Sequence, residues 1–184
     1  MLVQGRTYGI YMPQGTANKT NQPTPLYAPG EAGVVFGDPS TGRIHQRVTL
    51  DSGATAASAV GIVAVGQLAF WKDINAAIVT NDKNQCDLGP SAAINRVAGV
   101  FPLAVTAGNY CDIVKKGKAV SCVSDNSGVI GSQAMADTTA SVARVVGGAA
   151  VNTAPVSQVI GIIVSTPAAG LCNVDVNVGG FDNV

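Results

Sequence analysis

The 184-residue chain carries few charges, and the positive and negative ones cancel. Charged residues make up 12% of it, and 11 Lys and Arg offset 11 Asp and Glu, so no long-range field steers nucleic acid or acidic substrates towards it. The 47% hydrophobic fraction excludes a disordered chain, but only 5% is aromatic, so each buried residue removes little area from water. We therefore expect neighbouring chains to supplement the core, and no apolar run is long enough for a membrane-spanning helix.

Residues 1–30 differ in composition from residues 31–184, which we predict to form a single β-rich domain. Residues 14–25 are polar and rich in turn formers, which predicts an extended N-terminal arm. The start lacks the charged and then apolar pattern of a secretion signal, so we expect folding in a reducing cytoplasm. The arm is interpreted either as a frayed terminus or as a segment that orders across a neighbouring subunit. Its candidate contact residues are Tyr8, Ile10, Tyr11, Leu26 and Tyr27.

From residue 33 onward, short apolar segments alternate with turn signals, which predicts a mainly β domain with little helix. Residues 34–36 and 44–50 are predicted to pair as a hairpin. Alternation in the second of these strands places His45 on a polar, exposed face beside Arg43 and Arg47. The best helical candidate is the segment 91–97, which follows Pro90.

In the second half of the chain, residues 110–115 and 118–124 are predicted to form a hairpin that turns at Lys116 and Gly117. The three lysines at that tip are interpreted as keeping the strand end soluble, or as a basic contact point. Residues 159–164 predict a buried strand. Residues 171–178 alternate cleanly, which predicts inward side chains at Cys172, Val174, Val176 and Val178.

The cysteines do not form a metal-binding pattern. There is no C-x-x-C pair and only one histidine, so no zinc site is predicted. In a reducing compartment we expect the thiols to serve as small apolar fillers on strand faces, with a bridge across the predicted 110–124 hairpin left open as the alternative. The four cysteines are Cys86, Cys111, Cys122 and Cys172.

Catalytic signatures are missing from the sequence. No nucleophile elbow and no dinucleotide or phosphate-binding fingerprint is present, and the polar loop 81–87 lacks the glycine and glutamate of an EF-hand. We therefore predict no enzyme activity, no cofactor, no metal and no small-molecule substrate. The enzymatic alternative is a hydrolase in which Asp112 or Asp175 serves as the acid.

Three stretches resemble the capsid decoration, or cement, proteins of tailed bacteriophages. They are residues 66–73 (GQLAFWKD), 98–114 (AGVFPLAVTAGNYCDIV) and 159–164 (VIGIIV). The resemblance implies a compact β-barrel or sandwich, similar to a β-tulip, that assembles as a trimer. It also implies attachment to the outer surface of the major capsid protein lattice.

This resemblance leads to the hypothesis of a non-enzymatic virion structural protein that stabilises the head. Its partners would be the major capsid protein and copies of itself, with no nucleic acid and no membrane, and it would be made in the host bacterial cytoplasm. The alternative is an adhesion or receptor-binding module of a phage tail or fibre. Such a module needs exposed aromatic side chains, whereas Trp71, the sole tryptophan, lies in an apolar strand and is expected in the core.

Overall fold

The computed structural model describes residues 35–50, 62–63, 65–71, 85–87, 97–106, 109–137, 144–147 and 158–178. These residues form strands and contain no helix. The strands are β1 (Val35–Asp38), β2 (Arg43–Leu50), β3 (Ile62–Val63), β4 (Leu68–Trp71), β5 (Gln85–Asp87), β6 (Val97–Val100), β7 (Val105–Thr106), β8 (Tyr110–Val123), β9 (Gln133–Ala136), β10 (Val145–Gly147), β11 (Val159–Ile163) and β12 (Leu171–Asn177). The predicted arm with Tyr8, Ile10, Tyr11, Leu26 and Tyr27, the loop 81–84 and residues 91–96 of the predicted helix lie outside the described residues.

The predicted mainly β fold is confirmed. Ten strands form one sheet in the order β1-β2-β5-β4-β6-β8-β12-β11-β9-β10, and β3 pairs separately with β7. The pairings within the sheet are antiparallel except that of β2 with β5. Among the described strands, β1 and β10 stand at the two ends of this order, so the ten strands do not close into one barrel.

Strand β8 divides the sheet into two halves. Its N-terminal part pairs with β2 and its C-terminal part pairs with β12. We call β1, β2, β4, β5 and β6 the first half, and β9 to β12 the second half. Each half folds back towards β8: the first through the β2–β8 pairing, and the second through a bridge between Val145 of β10 and Ser124, the residue after β8.

The hairpin predicted at Lys116 and Gly117 is wrong, because β8 runs without reversal for 14 residues. The strand bends there instead. Ala119 takes a φ of 48° and donates its N–H to the Asp175 carboxylate at 2.8 Å, which holds an extra residue in the β8–β12 ladder. Gly117 serves close packing, since a Cβ at this position would lie 2.6 Å from Cγ of Arg43. The glycine that suggested a turn therefore marks a close contact between strands.

The two halves fill their interiors with side chains of different size. The first half buries Leu68, Phe70 and Phe101 completely. The second half buries valine, alanine and cysteine, with Ile160 and Ile163 as its largest interior residues. The inward pattern predicted for the last strand is confirmed by Cys172, Val174, Val176 and Val178, each at most 3% exposed.

Candidate interaction surface

A buried ion pair occupies the face of β2 that the sequence predicted to be exposed. Arg47 lies directly opposite Asp112 of β8, and its Nε and Nη2 donate to Oδ1 and Oδ2 of that carboxylate at 2.8 and 2.9 Å. The two side chains are only 9% and 2% exposed. Because both oxygens of Asp112 accept from a buried guanidinium, this carboxylate holds two strands together and is not placed to act as a hydrolytic acid.

The prediction of an exposed His45 is also wrong, since this residue is half-buried. Strand β2 is interior to the sheet, with Phe36 of β1 opposite His45 on one side and Val114 of β8 opposite it on the other. Burial lowers the pKa of the imidazole, and the nearby Asp112 and Asp38 carboxylates oppose that shift. The alternation of side chains along β2 was correctly identified. It could not show that β1 and β8 pair with both edges of this strand, so the exposure of His45 was predicted wrongly.

Trp71 packs against the core, as predicted, and is half-buried. The Nζ of Lys115 lies 5.4 Å from the centroid of the Trp71 ring. The lysine that makes this ammonium–aromatic contact is itself only 5% exposed. Lys116 and Lys118 are exposed. The three lysines predicted to share a hairpin tip are therefore separated between the interior and the surface of one strand.

Asp175, the other candidate acid, accepts the N–H of Ala119 at the bend of β8. Its role in the structure is to hold this bend. In the part of the chain that the structure describes, His, Cys, Asp and Glu form no cluster of three or more that could hold a metal ion.

The alternative of a bridge between Cys111 and Cys122 is wrong. Cys111 and Cys122 both lie on β8, separated by 10 residues of extended strand, so the bridge between them that the hairpin suggested cannot form. Cys122 instead lies directly opposite Cys172 of β12. Cys111, Cys122 and Cys172 are buried free thiols, which agrees with the prediction of apolar fillers, and burial raises the pKa of each.

Among the described residues, the two most exposed large apolar side chains are neighbours on a turn between β8 and β9. Val129 is 69% exposed and Ile130 is 62% exposed. We call residues 127–132 the apolar turn. Sequence analysis did not select it, although two branched apolar residues between Gly128 and Gly131 are the signal that could have found it.

The apolar turn is held rigidly by hydrogen bonds. Within it, the N–H and the hydroxyl of Ser132 both donate to the Val129 carbonyl, at 3.0 and 2.7 Å. Towards β11, Gly131 donates its N–H to the Ile163 carbonyl at 2.8 Å, and Ile163 donates back to Ser132 at 2.9 Å. Gly131 takes a φ of 88°, which fits glycine at that position. The two side chains are thus presented at little entropic cost to a partner.

Further exposed apolar residues lie on the outward face of the second half. Ile162 of β11 is 42% exposed and lies opposite Asp175 of β12, on the face that also carries Leu171, 47% exposed. These residues are interspersed with polar ones, and the chain has no net charge. The arrangement can bury apolar area against another protein surface.

No protein-family profile matches the chain, and no curated protein matches it either. Among the described residues, no helix has the length and apolar character that crossing a bilayer requires. One solved structure similar to the chain is described as "The crystal structure of head fiber gp8.5 N base in bacteriophage phi29". The identity is 14%, the match covers 73% of this chain and 93% of that chain, and the TM-score is 0.44. A likeness of this extent assigns neither the fold nor the function.

Proposed function

We propose that the chain is a structural protein of a bacteriophage virion that decorates the outer surface of the capsid and stabilises the head. The observation that carries the proposal is the apolar turn, where Val129 and Ile130 are exposed on a rigid, hydrogen-bonded support. The sequence resemblance to decoration proteins supports the same function. Its three stretches fall largely on β4, β6, β7, the start of β8 and β11.

The apolar turn suits attachment to a protein shell. Burying a valine or isoleucine side chain stabilises a complex by about 1.5–3 kcal/mol, so the pair offers a modest contact for each copy. A capsid presents many identical sites, and a decoration protein that assembles with its own copies engages several of them at once. Multivalency then turns modest contacts into firm attachment.

Self-association into a homotrimer is part of the proposal. The candidate arm contacts Tyr8, Ile10, Tyr11, Leu26 and Tyr27 would bind a neighbouring subunit or the major capsid protein. Light scattering after size exclusion in reducing buffer tests the trimer, for which the proposal expects three times the monomer mass of 18.5 kDa. Deleting residues 1–30 should weaken attachment, and unchanged attachment would reject the role of the arm.

The apolar turn is tested by co-sedimentation with heads assembled from the major capsid protein of the same phage. The double variant Val129→Ser with Ile130→Ser should bind at least tenfold more weakly than the unaltered protein. A matched control exists in the first half, where Val35 and Ile44 are exposed at 44% and 36%. Val35→Ser with Ile44→Ser should bind as the unaltered protein does. Equal loss in both variants would reject the apolar turn as the attachment point.

The fibre alternative predicts a different result. A tail or fibre adhesion module should bind glycans on an array and should not sediment with heads. Partial burial of Trp71 and its contact with Lys115 disfavour sugar stacking on this ring. Specific glycan binding in the absence of head binding would overturn the proposal.

A further inference from the structure

Strands β8 and β12 hold two thiols at positions where a covalent bond can join the two strands. Cys122 of β8 and Cys172 of β12 are register partners in an antiparallel ladder, so their side chains project from the same face of the sheet. They are 0% and 3% exposed, and that face is the interior of the second half. The neighbouring pairs on the ladder are Leu171 with Val123 and Asn173 with Ser121, and Val174 with Val120 is the next pair on the same face.

The backbone spacing fits a disulfide. Ser124 donates its N–H to the Gly170 carbonyl across the ladder, whereas Val123 donates to Gly66 on the opposite edge of β8. Because these directions alternate along a strand, Cys122 and Cys172 form a hydrogen-bonded pair, for which the Cα atoms are about 5.5 Å apart. Disulfides most often span Cα distances of roughly 5.5–6 Å, so the Cα spacing fits. Oxidation has to draw the two Cβ atoms together, from about 5.5 Å in a hydrogen-bonded pair to the roughly 3.5–4.5 Å of a disulfide.

We propose that Cys122 and Cys172 form a disulfide that fastens β8 to β12 when the protein meets an oxidising thiol–disulfide environment. The inference does not depend on the proposed function, since it rests on register and burial alone. In the reduced protein the Cys122 thiol is 3.5 Å from the Val120 carbonyl. This contact is exchanged for the Sγ–Sγ bond.

The oxidant is a low-molecular-weight disulfide such as oxidised glutathione. Cys172 follows the exposed Leu171 and a tight turn, so it lies at the more accessible end of the pair. Its thiolate attacks one sulfur of the oxidant and releases the first small thiol. Cys122 then attacks Sγ of Cys172, the mixed disulfide breaks, and the second small thiol leaves. The protein loses two hydrogen atoms, and one oxidant molecule is reduced to two thiols.

The bond would compensate for the small side chains of the second half. It closes a loop from residue 122 to residue 172, which contains β9, β10 and β11. Closing a long loop restricts the unfolded chain, and the stabilisation grows with loop length. The cross-link therefore adds stability to a part of the sheet where the burial of small valine and alanine side chains contributes little.

Trypsin separates all four cysteines, which makes the pairing directly measurable. Cleavage after lysine and arginine places Cys86 in peptide 84–96, Cys111 in 97–115, Cys122 in 119–144 and Cys172 in 145–184. The full chain is unfolded and refolded in oxidised and reduced glutathione, so that burial does not limit access. Free thiols are then alkylated, and the digest is analysed by mass spectrometry.

The expected product is peptide 119–144 linked to peptide 145–184, lighter by two hydrogen atoms than the sum of the two. Oxidation should also raise the thermal midpoint by roughly 5–10 °C. Cys111→Ala, the matched control, should keep both the link and the shift, and Cys122→Ala should lose both. Four alkylated cysteines after oxidative refolding, or a link that involves peptide 84–96 or 97–115, would overturn the proposal.

Discussion

The two halves of the sheet fill their interiors in different ways. The first half buries Phe70 and Phe101 and places the Arg47–Asp112 ion pair in its interior. The second half buries small side chains and brings backbone segments close together instead. A Cβ on Gly161 would lie 2.1 Å from the Asp175 carbonyl oxygen, and one on Gly147 would lie 2.2 Å from Gly128. Large side chains tolerate local adjustment, whereas backbone contacts of this kind do not.

The largest effect is expected when the ion pair of the first half is broken. Asp112→Ala leaves the Arg47 guanidinium buried without its carboxylate, which should lower the free energy of unfolding by about 3–5 kcal/mol. Urea denaturation measures this loss. The matched control is the double change Arg47→Met with Asp112→Leu, which should cost much less because no charge stays buried. Equal losses in the two variants would show that packing, and not charge, makes these positions sensitive.

A smaller but still clear effect is expected from the backbone contacts of the second half. Gly161→Ala should destabilise the protein by about 1–3 kcal/mol, because the added methyl group meets the Asp175 carbonyl of the neighbouring strand. Gly37 of β1 has open space around its Cβ position, so Gly37→Ala should change stability by less than about 0.5 kcal/mol. Thermal denaturation of both variants makes the comparison. A harmless Gly161→Ala would contradict the tight approach of β11 and β12.

The pH dependence of stability should depend on the burial of His45 in the first half. Burial lowers the pKa of His45 in the folded protein below its usual value of 6.5. At a pH below 6.5, the unfolded chain therefore binds a proton more readily than the folded chain does. Stability should therefore be fully present above pH 6.5 and fall as the pH drops below that value. His45 is the only histidine, so His45→Gln should remove most of this slope. An unchanged slope would mean that His45 is not desolvated.

The smallest effect is expected at the β1–β2 turn. The Ser40 and Thr41 side chains donate hydrogen bonds to the Asp38 carboxylate and lower its pKa to about 2. The resulting stabilisation should be present above about pH 4 and disappear as the pH falls towards 2. Because the group is solvent-screened, Asp38→Asn should cost less than about 1 kcal/mol at pH 7. A pH-independent difference between the two proteins would contradict this assignment.

The parts of the fold that depend on local pattern were predictable. Alternation identified β12 and its inward residues, and the predicted hairpin of residues 34–36 with 44–50 identified the pairing of β1 with β2. Long-range pairing was not predictable in this way. Gly117 suggested a turn because glycine permits one, but the approach of Arg43 from another strand accounts for it. Likewise, the alternating pattern around His45 could not show that β1 and β8 flank both edges of β2.

The candidate surface was harder to predict from the sequence than the fold. Val129 and Ile130 form a two-residue apolar pair, too short to show a period, and their exposure depends on the bonds from Ser132 and Gly131 to distant Ile163. The pairing of Cys122 with Cys172 likewise depends on the register of two strands about fifty residues apart. Such contacts arise from strand pairing between distant segments, which a linear pattern does not encode.

Electron cryomicroscopy of heads incubated with the protein tests the proposed function most directly. The account predicts added density on the outer capsid surface, shaped by the described sheet, with Val129 and Ile130 of the apolar turn against the shell. Heads that stay bare at saturating protein concentration would contradict it, and so would density attached through the opposite end of the sheet.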